Sequence, residues 1–96
     1  MNWEQQLLPY EGRLISIWIE DQSGEEQTKP KSYTLNKVEK SKDEETLKFY
    51  ISPTQFLYVP LFGEDQTKLE YTDIEDRFVS HDVENKLVYR VYLAKV

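Results

Sequence analysis

The 96-residue chain has no cysteine, one histidine, three glycines and four prolines, and each shortage removes a class of chemistry. Without cysteine there are no disulfides, no thiolate metal centres and no cysteine nucleophile. Gly12, Gly24 and Gly63 stand far apart, so no glycine-rich loop cradles a phosphate and no nucleotide motif is present. His81 is the sole imidazole, and its neighbours Ser80 and Asp82 point to the opposite face of any strand, so adjacency builds no triad. No stretch approaches the roughly 20 apolar residues of a membrane-spanning helix, and the N-terminus lacks the basic start and apolar run of a secretory signal. These absences predict a soluble, cytoplasmic protein with no membrane contact, no cofactor, no bound metal and no catalytic residues; it is not read as an enzyme.

Positive charge is also scarce. Twelve Lys and Arg face 18 Asp and Glu, for a net charge of −6, and the resulting field repels phosphate backbones, making nucleic acid an unfavoured partner. What the chain does have is apolar surface: 39% of residues are hydrophobic and 14% aromatic, enough to offset the entropy of ordering. The length predicts a single small domain over residues 1–96.

The pattern changes period once. Asn2 as N-cap, Gln5 three residues on, and Pro9 predict a helix of about two turns, docked through Trp3 and Leu7 on one face. From residue 13 apolar residues alternate, and Ile15, Ile17 and Ile19 mark a strand over residues 13–20. Further strands are expected over residues 32–39, 46–52, 55–62, 69–74, 77–83 and 87–95, with polar turns between them. Pro60 cannot donate to a ladder, so its strand is read as an edge or a bulge. The fold class is all-β: a small antiparallel barrel or sandwich of six to seven strands with a short N-terminal helix. An α+β arrangement follows if residues 73–77 are helical.

One motif recurs. Gly24-Glu25-Glu26-Gln27-Thr28-Lys29 matches Gly63-Glu64-Asp65-Gln66-Thr67-Lys68 at five of six positions, 39 residues apart, and a Tyr-Thr pair follows each copy. Either residues 13–52 and 56–95 are duplicated three-stranded halves, or two acidic loops share a composition. The opening Leu7-Leu8-Pro9-Tyr10-Glu11-Gly12-Arg13, a short helix entering a strand, resembles the start of Sm-like and SH3-like small barrels over residues 3–20. The glycine pattern and Asp-Asn loop of an Sm-like RNA binder are absent and the charge balance is opposite, so no functional residue is carried over.

If Ile15, Ile17, Ile19, Leu47, Phe49, Ile51, Leu57, Val59 and Leu61 face the core, alternation sends Leu14, Trp18, Tyr50, Phe56, Tyr58, Phe62 and Tyr92 outward. That is a large aromatic share for a solvated face, and aromatic residues concentrate at interface centres. Trp18, Tyr50, Phe56, Tyr58 and Tyr92 are therefore the candidate interaction surface, for a protein partner or a homodimer. The competing readings are that the N-terminal helix covers this face, or that a bulge at Pro60 swaps the two faces. Glu25, Glu26, Glu64 and Asp65 form candidate acidic loops for a basic partner. Two alternatives remain at this stage. Lys48 with Tyr50, and Arg90 with Tyr92, offer a thin version of a single-strand nucleic-acid surface. Asp73, Glu75, Asp76, His81 and Asp82 offer oxygen and nitrogen donors for a metal-binding or hydrolytic site, with no spacing signature behind them.

Overall fold

In the computed structural model, which describes residues 2–24 and 30–95, the first turn forms where the capping residues place it. The Asn2 Oδ1 accepts from the Gln5 amide at 3.1 Å, and helix α1 (Trp3–Leu7) passes into a 3-10 turn over Leu8–Tyr10 with Pro9 in its first positions. Pro9 has no amide to lose there, which ends the α-helix without an orphaned donor. Gly12 follows at φ +84°, a backbone state that costs a glycine nothing. Replacing Asn2 with alanine removes the cap and is expected to cost about 1 kcal/mol, read as a lower urea midpoint at unchanged slope.

Among the described residues eight strands follow: β1 (Leu14–Asp21), β2 (Lys31–Thr34), β3 (Lys37–Lys40), β4 (Thr46–Tyr50), β5 (Phe56–Pro60), β6 (Thr67–Tyr71), β7 (Glu75–Asp82) and β8 (Leu87–Ala94). All pairings are antiparallel, in a five-stranded sheet of order β2-β1-β8-β7-β6 and a three-stranded sheet of order β3-β4-β5. The sheets stack as a sandwich and do not close into a barrel. Residues 73–77, the helical alternative, form a turn and the start of β7.

The strand count exceeds the expected six to seven because residues 32–39 do not make one strand. The Leu35 amide donates to the Arg13 carbonyl at 2.9 Å, and the next amide, Asn36, donates to the Tyr50 carbonyl at 2.7 Å. Two consecutive donors thus serve different sheets, and the chain turns the corner of the sandwich at a fully buried Leu35. The repeated motif also leads into different pairings. In the first half β1 pairs with β2, whereas β5 and β6, which flank the second copy, lie in different sheets.

The core lies between the sheets. Ile15, Val91, Leu93 and Phe78 from the larger sheet meet Val38, Leu47, Phe49 and Val59 from the smaller, and Trp3, Leu7, Tyr10 and Leu35 close one end. The Trp3 ring stands edge-on to Phe78 with centroids 5.0 Å apart, and the Phe49 ring packs against Phe78 at 5.6 Å. The helix therefore fills the interior rather than covering an outer sheet face.

Candidate functional site

The β4–β5 hairpin is built by a serine turn. The Ser52 hydroxyl accepts from the Thr54 and Gln55 amides at 3.3 and 3.0 Å, while the Ile51 amide donates to the Gln55 carbonyl at 3.0 Å. At the far end the Leu61 amide donates to the Glu45 carbonyl at 2.7 Å. Backbone groups alternate in direction along a strand, so these two bonds fix the rest. Leu57 and Val59 turn their N–H and C=O groups toward β4, and Phe56, Tyr58 and Pro60 turn theirs away. The one position on that outward edge without an N–H is Pro60, and its carbonyl accepts from the Ser80 hydroxyl at 2.5 Å. β5 is an edge strand. Among the described residues no donor or acceptor faces the outward groups of Phe56 and Tyr58.

Side chains on the outer face of this sheet form two rows across the strands. Lys37, Tyr50 and Phe56 make one, and Glu39, Lys48 and Tyr58 the other. Tyr50 and Phe56 lie 5.2 Å apart between centroids. The Lys37 ammonium sits 4.5 Å above the Tyr50 ring and that of Lys48 5.0 Å above Phe56, so both cations lean on aromatic faces. Phe56 is 40% exposed and Tyr58 65%.

Trp18 and Tyr92 belong elsewhere. They pack edge-on at 4.4 Å on the outer face of the five-stranded sheet, where the Arg77 guanidinium covers Tyr92 at 4.7 Å and Arg90 reaches Glu20 at 3.5 Å. The five aromatic residues singled out from alternation thus fall on opposite sides of the sandwich. Tyr50, Phe56 and Tyr58 come together; Trp18 and Tyr92 form a separate, half-buried pair under arginine cover.

Behind β5 the two sheets leave a groove of about 290 Å³ lined by Ile17, Ile19, Phe56, Leu57, Tyr58 and Tyr89. It exists because β5 runs across the larger sheet. Pro60 lies against Ser80 of β7, while Phe56 to Tyr58 border Tyr89 of β8 and Ile17 and Ile19 of β1. The larger sheet continues past β5 by one further register, Asp21–Leu87–Asp82, so the edge of β5 overhangs a ledge. Burial, with the charge of Asp82 and the neighbouring Tyr58, raises the Tyr89 hydroxyl above its ordinary pKa, and Tyr89 is neutral at pH 7. Both ledge carboxyls are held below the usual carboxylate range, Asp21 by bonds from the Ser23 hydroxyl and amide, Asp82 by bonds from the Asn85 side chain and amide.

The acidic groups take other parts. Glu25 and Glu26 lie outside the described residues; Glu64 and Asp65 are exposed in a turn where the Gln66 and Thr67 amides both donate to the Gly63 carbonyl at 2.9 Å. Asp73 is exposed, Glu75 pairs with Arg77 at 3.5 Å, and the His81 ring meets the Gln22 side chain at 2.9 Å. Asp76 is buried, accepting from the Tyr10 hydroxyl at 2.5 Å and from Lys95 at 3.0 Å. Asp76 lies on the face of β7 opposite His81, and Glu75, on the His81 face, stands six residues away along the strand, so neither acid converges with the imidazole. Among the described residues no three His, Asp or Glu side chains form a metal-binding group.

Two features escaped the reading of the sequence. The Tyr10–Asp76–Lys95 cluster joins residues far apart in the chain, and no spacing announces it. The second was in plain view: residues 49–63 hold no charged side chain, in a chain where 31% of residues are charged. That run covers the end of β4, the serine turn and all of β5. Among the described residues no helix is long and apolar enough to cross a membrane. Comparison of the chain with protein-family models, with curated proteins and with solved structures returns no match.

Proposed function

We propose that this protein is a non-enzymatic binding module whose contact surface is the outer face of the three-stranded sheet, centred on Tyr50, Phe56 and Tyr58, with a protein as its partner. The observation that carries this reading is the exposure of Phe56 and Tyr58 on a contiguous aromatic face inside the longest charge-free segment of the chain. Large aromatic residues left in water without a structural task mark interfaces, where they supply rigid contact area at low entropy cost.

Peptide display against the immobilised full chain tests it. The double variant Phe56→Ser with Tyr58→Ser is expected to keep its stability within about 1 kcal/mol, since neither ring is in the core, and to lose the enrichment seen with the natural chain. No enrichment on the natural chain, or enrichment that survives the double substitution, overturns the proposal. A second reading rests on Lys37 and Lys48 lying over the rings, an arrangement that also suits stacked bases. A labelled oligothymidylate at low salt separates the two: binding that falls in the double variant moves the function to single-stranded nucleic acid.

A further inference from the structure

We infer that β5 is an open docking edge, and that its occupant is an extended, basic segment of another protein, with apolar residues at alternate positions, that adds as a fourth strand beside β5. The inference rests on the protein-binding reading of the preceding section and names the mode of binding and the chemistry of the partner.

A comparison of the four sheet edges carries the first half. Exposed edges invite pairing with other chains, and proteins blunt them with charge, proline or short length. β2 carries Lys31, β3 carries Lys37, Glu39 and Lys40, and β6 carries Lys68 and Glu70. β5 alone, Phe56-Leu57-Tyr58-Val59-Pro60, has no charged residue. Its proline closes only the end nearest β7, where the Pro60 carbonyl is already engaged by Ser80. Among the described residues the N–H and C=O groups of Phe56 and Tyr58 remain without a partner, four groups with the alternation that an antiparallel or parallel strand matches.

The ledge identifies the occupant. A strand beside β5 lies over the larger sheet, and its inward side chains enter the groove lined by Ile17, Ile19, Leu57 and Tyr89, so apolar residues are required at every second position. Beyond the groove stand Asp21 and the buried Asp82, which is bonded to Asn85, and the turn after β7 carries the exposed Glu84 and Lys86, three acidic residues against one lysine. With the chain's net charge of −6, these select lysine or arginine in the partner. A second copy of the domain fits poorly. Antiparallel pairing of two β5 strands about a two-fold axis places both larger sheets on one side of the joined sheet, and each ledge then runs into the other.

The test titrates the full chain with a blocked seven-residue peptide carrying valine at positions 3 and 5 and lysine at positions 1 and 7, all on one face, with threonine at positions 2, 4 and 6, and with the same peptide carrying glutamate in place of lysine, followed by amide resonances and hydrogen exchange. The lysine peptide is expected to slow exchange of the Phe56 and Tyr58 amides at least tenfold, leaving Leu57 and Val59, already bonded to β4, nearly unchanged. The glutamate peptide is expected to bind at least fivefold more weakly. Tyr58→Pro deletes one outward donor without touching the β4 ladder, and Tyr58→Thr removes the ring but keeps that donor. Loss of binding in the proline variant beyond that in the threonine variant supports strand addition. Equal losses in both overturn it while leaving the aromatic face as the binding surface. If Tyr58→Pro does not fold, the lysine peptide N-methylated at alternate positions replaces it, with undiminished binding as the overturning result. No binding of the lysine peptide at millimolar concentration, or a dimeric chain whose Phe56 and Tyr58 amides are protected without peptide, overturns the assignment of the occupant.

Discussion

Replacing Phe78 with alanine is expected to destabilise the protein by about 4 kcal/mol, a large share of the roughly 5–15 kcal/mol that holds a domain of this size together. Phe78 is fully buried at the centre of β7. Its ring packs against Trp3 of the helix and Phe49 of the smaller sheet, so it joins the helix and both sheets. Truncation removes the transfer free energy of the ring, leaves a cavity, and loosens the helix, which is too short to persist without docking. Urea unfolding followed by tryptophan fluorescence measures the loss. A change below about 1 kcal/mol would mean that the core is not centred where the structure places it.

The second large effect is electrostatic. Burial alone would raise the Asp76 carboxyl, but the hydrogen bonds from Tyr10 and Lys95 and the charge of Lys95 outweigh it, and its pKa lies below the ordinary carboxylate value. The Tyr10 hydroxyl moves the other way, well above its ordinary value, through burial, the bond to Asp76 and the negative charges near it. The signs give a two-sided profile. A carboxyl depressed in the folded state stabilises the fold above its unfolded pKa, near 4, and that contribution is lost as pH falls through the folded value. A phenol raised in the folded state stabilises the fold below its unfolded pKa, near 10, and that contribution fades as pH rises beyond it. Stability is therefore expected to hold through neutral pH and to decline at both extremes. Asp76→Asn is expected to cost about 2 kcal/mol at pH 7 and to flatten both limbs; urea midpoints at pH 3, 7 and 11 read it. Limbs of unchanged steepness in the variant would remove Asp76 from the account.

The all-β class and most strand positions were legible in the sequence because a two-residue period with β-branched residues is a local signal. Ile15, Leu47, Phe49 and Val59 alternate with polar or outward residues and are buried. The corner at Leu35–Asn36 was not legible, since nothing in Tyr33-Thr34-Leu35-Asn36-Lys37 distinguishes a strand that continues from one that changes sheets; the decision is made by partners at Arg13 and Tyr50. The aromatic surface was half legible. Alternation tells which face of its own strand a residue takes, so Trp18 and Tyr58 were both placed outward, but not whether two strands share a sheet. Pro60 marked an edge correctly because its missing donor is a property of the residue itself.

The place of β8 bears on how the chain reaches this state. β8 is the last described strand in sequence and lies between β7 and β1, so it pairs once with its nearest neighbour and once with β1. Before residue 87 is available, β1 with β2 and β6 with β7 are separate hairpins with no shared sheet and no ladder between them. Completing the larger sheet therefore requires a non-local closure that brings Ile15 to Leu93. Such non-local closure slows folding toward the millisecond-to-second range, and during that interval the charge-free β5 edge is exposed without its ledge.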